Sequence, residues 1–159
     1  MERDAEGEWA VGMGELNDIT SMHEFVLSVL REVIANLPPD TARIDEGHAS
    51  NGDAVLSVIP ARKDAAEIWV HVGSPALIDF GVEHETGWEM YVNQEGEWDE
   101  FGHNLKRFCN AVIEGKCEIR RGFISRNLTI IIEGRRVRST GYFHFSLLPK
   151  IYRFMPYAP

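Results

Sequence analysis

The sequence predicts an α+β domain: an antiparallel sheet with two amphipathic helices packed on one face. Three observations predict it. Apolar residues recur at helical spacing in two separate stretches, near 21–37 and 97–114. Between and after those stretches the apolar period falls to two. The strand-like segments are also joined by connections too short for the crossovers that parallel neighbours need.

The 159 residues suit one domain, 1–159. Residues 1–19 carry Gly7, Gly12, Gly14 and four glutamates ahead of any periodic segment, and read as a loose N-terminal arm. Met22, Phe25, Val26, Val29, Leu30, Val33, Ile34 and Leu37 then form one helical stripe. Ser21 followed by Glu24 has capping-box spacing, and Pro38-Pro39 stops the helix. Residues 40–53, polar and containing Gly47 and Asn51-Gly52, read as a loop.

Strands are expected near 54–60, 67–73, 77–84 and 87–93. Turns are expected at Asp64-Ala65-Ala66, Gly73-Ser74-Pro75 and Glu85-Thr86-Gly87. A second helix over 97–114 places Trp98, Phe101, Leu105, Phe108 and Val112 on one face, with Gly115 ending it in a left-handed conformation. Further strands are expected near 117–125, 128–133 and 136–147, with a turn at Glu133-Gly134. In the tail, Tyr152, Phe154, Met155 and Tyr157 are expected to pack along the sheet or a helix.

Charge is distributed unevenly. Residues 1–100 hold 22 acids and 5 bases, a formal −17. Residues 101–159 hold 3 acids and 11 bases, a formal +8. The segment 83–101 has seven carboxylates and neither lysine nor arginine. Those at Glu97, Asp99 and Glu100 favour the positive end of the second helix, which leaves Glu83, Glu85 and Glu89 without a local cause. Conversely, six arginines fall within 117–140: Arg120, Arg121, Arg126, Arg135, Arg136 and Arg138. Pairing with the chain's own acids is their first expected use. Binding of an anionic ligand is the second, because Arg136 and Arg138 share a strand face. Nucleic acid ranks last, since the −17 segment would repel a polyanion.

Strand alternation sorts the side chains into two sets. Ile68, Val70, Val72, Ile78, Phe80, Val82, Trp88, Met90 and Val92 form the set that should face the helices. The opposite set gathers Trp69, His71, Asp79, Glu83, Glu89 and Tyr91. Rings among carboxylates suit a basic protein partner: the rings give contact area and the acids steer a cation. The expected function is therefore a non-catalytic, acidic protein-binding domain. One form of it is an inhibitor or immunity-type protein that neutralises a basic partner. The alternative is a small-ligand-binding domain or modest enzyme with a pocket between sheet and helices, drawing on His71, His103, Arg136, Arg138 and His144. A homodimer joined through sheet edges is a third arrangement.

Motifs assign no catalytic residue, metal or cofactor. Gly12-Met13-Gly14 lacks the strand and third glycine of a dinucleotide fingerprint, and there is no P-loop or G-x-S-x-G elbow. There is no H-E-x-x-H or Cys-x-x-Cys, and the adjacent His84 and Glu85 would point to opposite faces of a strand. Cys109 and Cys117 are expected to be buried, reduced thiols. The opening MERDAEGEWA is acidic with no apolar core, and no apolar run approaches the ~18–20 residues of a membrane span. The cytoplasm is the expected compartment, with no membrane association.

Overall fold

In the computed structural model, residues 19–73, 77–83, 87–92, 95–142 and 148–159 are described. The arm at 1–18, the turn residues 74–76 and 84–86, and His144 lie outside them.

The first helix, α1 (Ile19–Ala35), forms where the sequence stripe predicts it. Met22, Val26, Val29, Leu30 and Val33 are all buried along it. Ser21 sits inside its first turn rather than ahead of it, so the spacing to Glu24 is not that of an N-cap.

Five strands follow α1. They are β1 (Ala42–His48), β2 (Ala54–Pro60), β3 (Ile68–Gly73), β4 (Leu77–Val82) and β5 (Gly87–Tyr91). They pair antiparallel in chain order as a simple meander, β1-β2-β3-β4-β5. Strand β1 occupies part of the stretch expected to be a loop. Every residue of it pairs with β2, from Ala42 opposite Pro60 to His48 opposite Ala54. It is an edge strand, polar and mostly exposed, so it shows little apolar alternation; its conformation is imposed by the hydrogen-bonding groups of β2. The Asn51-Gly52 signal marks the hairpin that closes it, with Gly52 at φ +90°.

The second helix, α2 (Glu95–Ile113), begins two residues earlier than expected. Gly115 has φ +72°. Its N–H donates to the Val112 carbonyl at 2.9 Å, and that of Lys116 donates to the Ala111 carbonyl at 2.8 Å. Both bonds define a Schellman stop, which requires a left-handed residue there.

Strands β6 (Cys117–Arg121), β7 (Ser125–Ile132), β8 (Arg135–Tyr142) and β9 (Lys150–Arg153) form a second antiparallel sheet, ordered β8-β7-β6-β9. The strands expected as one sheet thus fall into two. The expected strand over 117–125 is cut by a hairpin turn, where the Gly122 N–H donates to the Ser125 carbonyl at 2.8 Å. The tail supplies β9, which pairs with β6.

Helix α1 packs on β1, β2 and β3, while α2 packs on α1 and β7. Phe101 and Phe108 of α2 meet Phe80 of β4 at 6.2 and 5.0 Å between ring centroids. The two helices therefore share the apolar side of the first sheet, and α2 also backs the second. Beyond β9 the chain returns to the core: Tyr157 is buried, and its hydroxyl donates to the Ala66 carbonyl at 2.6 Å. Its own N–H donates to the Ile113 carbonyl at 2.9 Å, which ties the tail to the end of α2. Among the described residues, no helix is long and apolar enough to cross a membrane.

Two predictions follow from this packing. Tyr157→Phe removes the donor to Ala66 and should cost about 1–3 kcal/mol in a denaturant melt; an unchanged midpoint would show the tail to be undocked in solution. The second concerns alkaline pH. Burial pushes the thiols of Cys109 and Cys117 from 9.0 up to about 12, and burial also raises the Tyr157 phenol. The folded state then keeps protons that the unfolded chain has lost, so stability falls as pH rises. The thermal midpoint should hold to about pH 8 and drop progressively from about pH 9. A level profile would mean that the thiols and the phenol are not held in the core.

Candidate functional site: the outer face of the five-stranded sheet

Pairing register decides which side chains meet on the face turned away from the helices. His71 stands opposite Asp79, and Asp79 opposite Glu89. One row therefore crosses β3, β4 and β5 as His71, Asp79, Glu89. In the next row Trp69 stands opposite Gly81, and Gly81 opposite Gly87. On the other side Leu77 stands opposite Tyr91. Five of the six expected binding residues, Trp69, His71, Asp79, Glu89 and Tyr91, thus share one face.

Glu83 is placed differently. Strand β4 ends at Val82, and Glu83 has φ +56°. Its carboxylate accepts the Glu67 N–H at 2.6 Å, so it caps the sheet end instead of joining the row. Alternation continued past the strand end is what assigned it to the face.

Trp69 is half-buried because its indole lies over a gap left by glycine. A Cβ on Gly81 would stand 2.7 Å from Trp69 Cζ2 and 2.9 Å from Cε2. The ring fills the space that Gly81 leaves in the sheet surface, an arrangement that shields exposed backbone. Tyr91 is the opposite case, 60% exposed at the edge strand. The Glu89 charge, together with a hydrogen bond to that carboxylate, pushes its phenol above the usual range.

His71 is held between two carboxylates. Its Nε2 lies 3.0 Å from Asp53 Oδ2 and its Nδ1 3.3 Å from Asp79 Oδ2. Only an imidazolium can donate to both. Asp53 Oδ2 also accepts from Asn51 Nδ2 at 2.6 Å, so the β1–β2 hairpin fixes one end of the row. Asp53 is a site residue the sequence reading missed. It sits in a hairpin loop, outside any strand, and only the β2–β3 register brings it to His71. The two carboxylates approach opposite ring nitrogens and do not converge on a point. Among the described residues, no group of three or more His, Cys, Asp or Glu is arranged to hold a metal ion.

The residues of the alternative pocket are scattered. His103 is exposed on α2. Arg136 and Arg138 stand opposite Ile131 and Thr129, on the face of the second sheet turned away from buried Leu128 and Ile130. A cavity of about 390 Å³ does lie between sheet and helix, but Trp88, Phe108, Arg107 and Arg135 help line it instead. Periodicity assigns Trp88 and Phe108 to the core, and nothing in the sequence marks them as bordering open space.

The arginine-rich stretch neutralises itself only in part. Arg120 and Arg153 donate to the two oxygens of Glu118 at 2.7 and 3.0 Å, and Arg120, then Arg153, holds that carboxyl below its usual range. Arg107 donates to Glu133 at 2.6 Å. These acids belong to the basic part of the chain, not to the acidic part expected to balance it. Arg135, Arg136 and Arg138 are exposed and form no ion pair among the described residues.

Chemically, the face offers charge, rings and a bridged histidine. Neither cysteine can serve as a nucleophile here, since both are buried and kept as thiols. Gly81→Ala should displace the Trp69 ring and cost about 1–3 kcal/mol. The shift should appear at the Trp69 indole resonance in an NMR spectrum; a mutant spectrum with that resonance unmoved would contradict the stacked geometry. Compared with known proteins, the chain matches no protein-family model, no curated protein and no solved structure.

Proposed function

We propose that the chain is a non-catalytic binding protein whose outer sheet face takes a basic protein partner. The observation that carries this reading is Tyr91, exposed to 60% beside Glu89, on the same face as Trp69, His71 and Asp79. An aromatic of that size left at the surface costs solvation that contact with a partner would recover. Asp45 of β1 falls on the same face, opposite Ser57, which itself stands opposite Trp69. Outward carboxylates thus stand on β1, β4 and β5, with Arg43 of β1 the base beside Asp45 on that face.

Acidic charge speeds encounter with a cation, and the rings then hold it. One form of such a protein is an inhibitor or immunity-type protein that occludes a phosphate-binding site on a nucleic-acid-processing enzyme. Such a site is basic by necessity, and an acidic sheet face is complementary to it. A cytoplasmic setting belongs to this reading: the two cysteines are free and buried, as a reducing compartment allows.

The test uses a lysine- and arginine-rich peptide titrated at low and moderate salt. Binding should weaken with salt and should perturb the Trp69 indole and Tyr91 ring resonances. Glu89→Lys combined with Tyr91→Ala should lower affinity about tenfold or more while leaving the thermal midpoint nearly unchanged. Perturbations confined to α2 acids such as Asp99 and Glu100, or an unaltered affinity in the double variant, would overturn the reading.

A further inference from the structure

We propose that the cavity between β5, β8 and α2 is a binding site for a small aromatic carboxylate. The cavity measures about 390 Å³, at the lower end of the ~300–1,000 Å³ typical of small-molecule sites. Its wall is mainly apolar, and its residues come from both sheets and from the helix.

Part of the wall is built from side chains that point inward yet are not covered. Trp88 and Met90 alternate with exposed Glu89 and belong to the helix-facing side of β5, but both remain half-buried. Val137 stands opposite buried Ile130 and still exposes 37% of its surface. Apolar groups on the core side of two sheets thus face unfilled space. The rings around it are fixed at different angles. Trp88 meets Phe108 edge-on, at 5.6 Å and 74°, and lies nearly parallel to Phe80, at 6.1 Å and 28°. A planar ring entering here finds both an aromatic face and an aromatic edge, the two preferred ring contacts.

The charge at the rim selects an anion. Arg135 lines the cavity, stands opposite Ile132 on β8, and forms no ion pair among the described residues. Arg107 also lines it, but is engaged by Glu133. Glu89 borders the cavity through its place between Trp88 and Met90, while its carboxylate interacts with Tyr91 on the outer face. The guanidinium of Arg135 is therefore the uncompensated charge at the opening. Its planar fork suits a carboxylate, which can take two parallel hydrogen bonds. Asn104 of α2 adds a neutral amide to the lining. This site lies on the helix side of β5, opposite the proposed protein-binding face, and Glu89 is the residue they share.

The test is calorimetric titration of the full chain with naphthaleneacetate and with its neutral counterpart, naphthaleneethanol. The acid should bind at least about tenfold more tightly than the alcohol, the difference expected of one charge-assisted contact at a partly open site. Arg135→Ala should abolish that preference and leave alcohol binding as it was. Arg136→Ala, on the same strand but the other face, should change neither. Val137→Trp fills the space and should abolish binding of both, with its thermal midpoint recorded to show that the variant folds. Equal affinity for acid and alcohol in the unaltered chain, no binding of the acid at millimolar concentration, or undiminished binding in folded Val137→Trp would each overturn the proposal.

Discussion

Val70 and Val72 of β3 are completely buried, while His71 between them reaches the surface. That alternation, enforced by antiparallel pairing with β2 and β4, is the constraint on which the rest depends. A slip of one residue would turn valines to water and press His71 and Trp69 against the helices. Because Leu56, Val58, Ile68, Ile78 and Val82 are buried with them, the register is strongly specified. Everything on the outer face inherits its position from this burial. The carboxylates are brought together there by the requirement that apolar neighbours point the other way.

The two sheets are joined at few places, and these set the shape of the candidate sites. Ser139 of β8 donates a hydrogen bond to the Gly87 carbonyl of β5, which links the facing edges of the sheets. At the far end of the chain, Tyr157 reaches Ala66 between β2 and β3, and the Met155 N–H donates to the Asp64 carbonyl at 2.9 Å. The second sheet is thereby held at the β5 edge and through its tail. Between these attachments α2 bridges the two sheets, and near the β5–β8 junction the apolar surfaces do not close over one another. The same junction places acid and base on different faces. Carboxylates lie on the outer side of the first sheet, and Arg136 and Arg138 on the outer side of the second.

The chain is acidic overall but carries a basic stretch. Ion pairs do cross between elements, as between Lys106 of α2 and Glu32 of α1 at 2.6 Å. These are surface contacts, each contributing about 0–1 kcal/mol, and they do not determine the fold. Apolar burial determines it, and charge is left to decide what approaches each face.

By itself the sequence determined the α+β class, both helices, the antiparallel character of the strands and their inward and outward sets. Each of these follows from local periodicity, which is written in consecutive residues. It also placed five of the six acidic-face residues, since alternation needs only the strand and not its partner. Tertiary structure alone decided the rest. Strand β1 exists because β2 offers it a hydrogen-bonding edge, and its own residues are too polar and exposed to reveal it. Asp53 reaches His71, and Glu83 leaves the row, because of a hairpin and a strand end whose positions depend on pairing. The division into two sheets, and the cavity that Arg135 borders, arise from how separate elements meet, and no single stretch of chain encodes such a meeting.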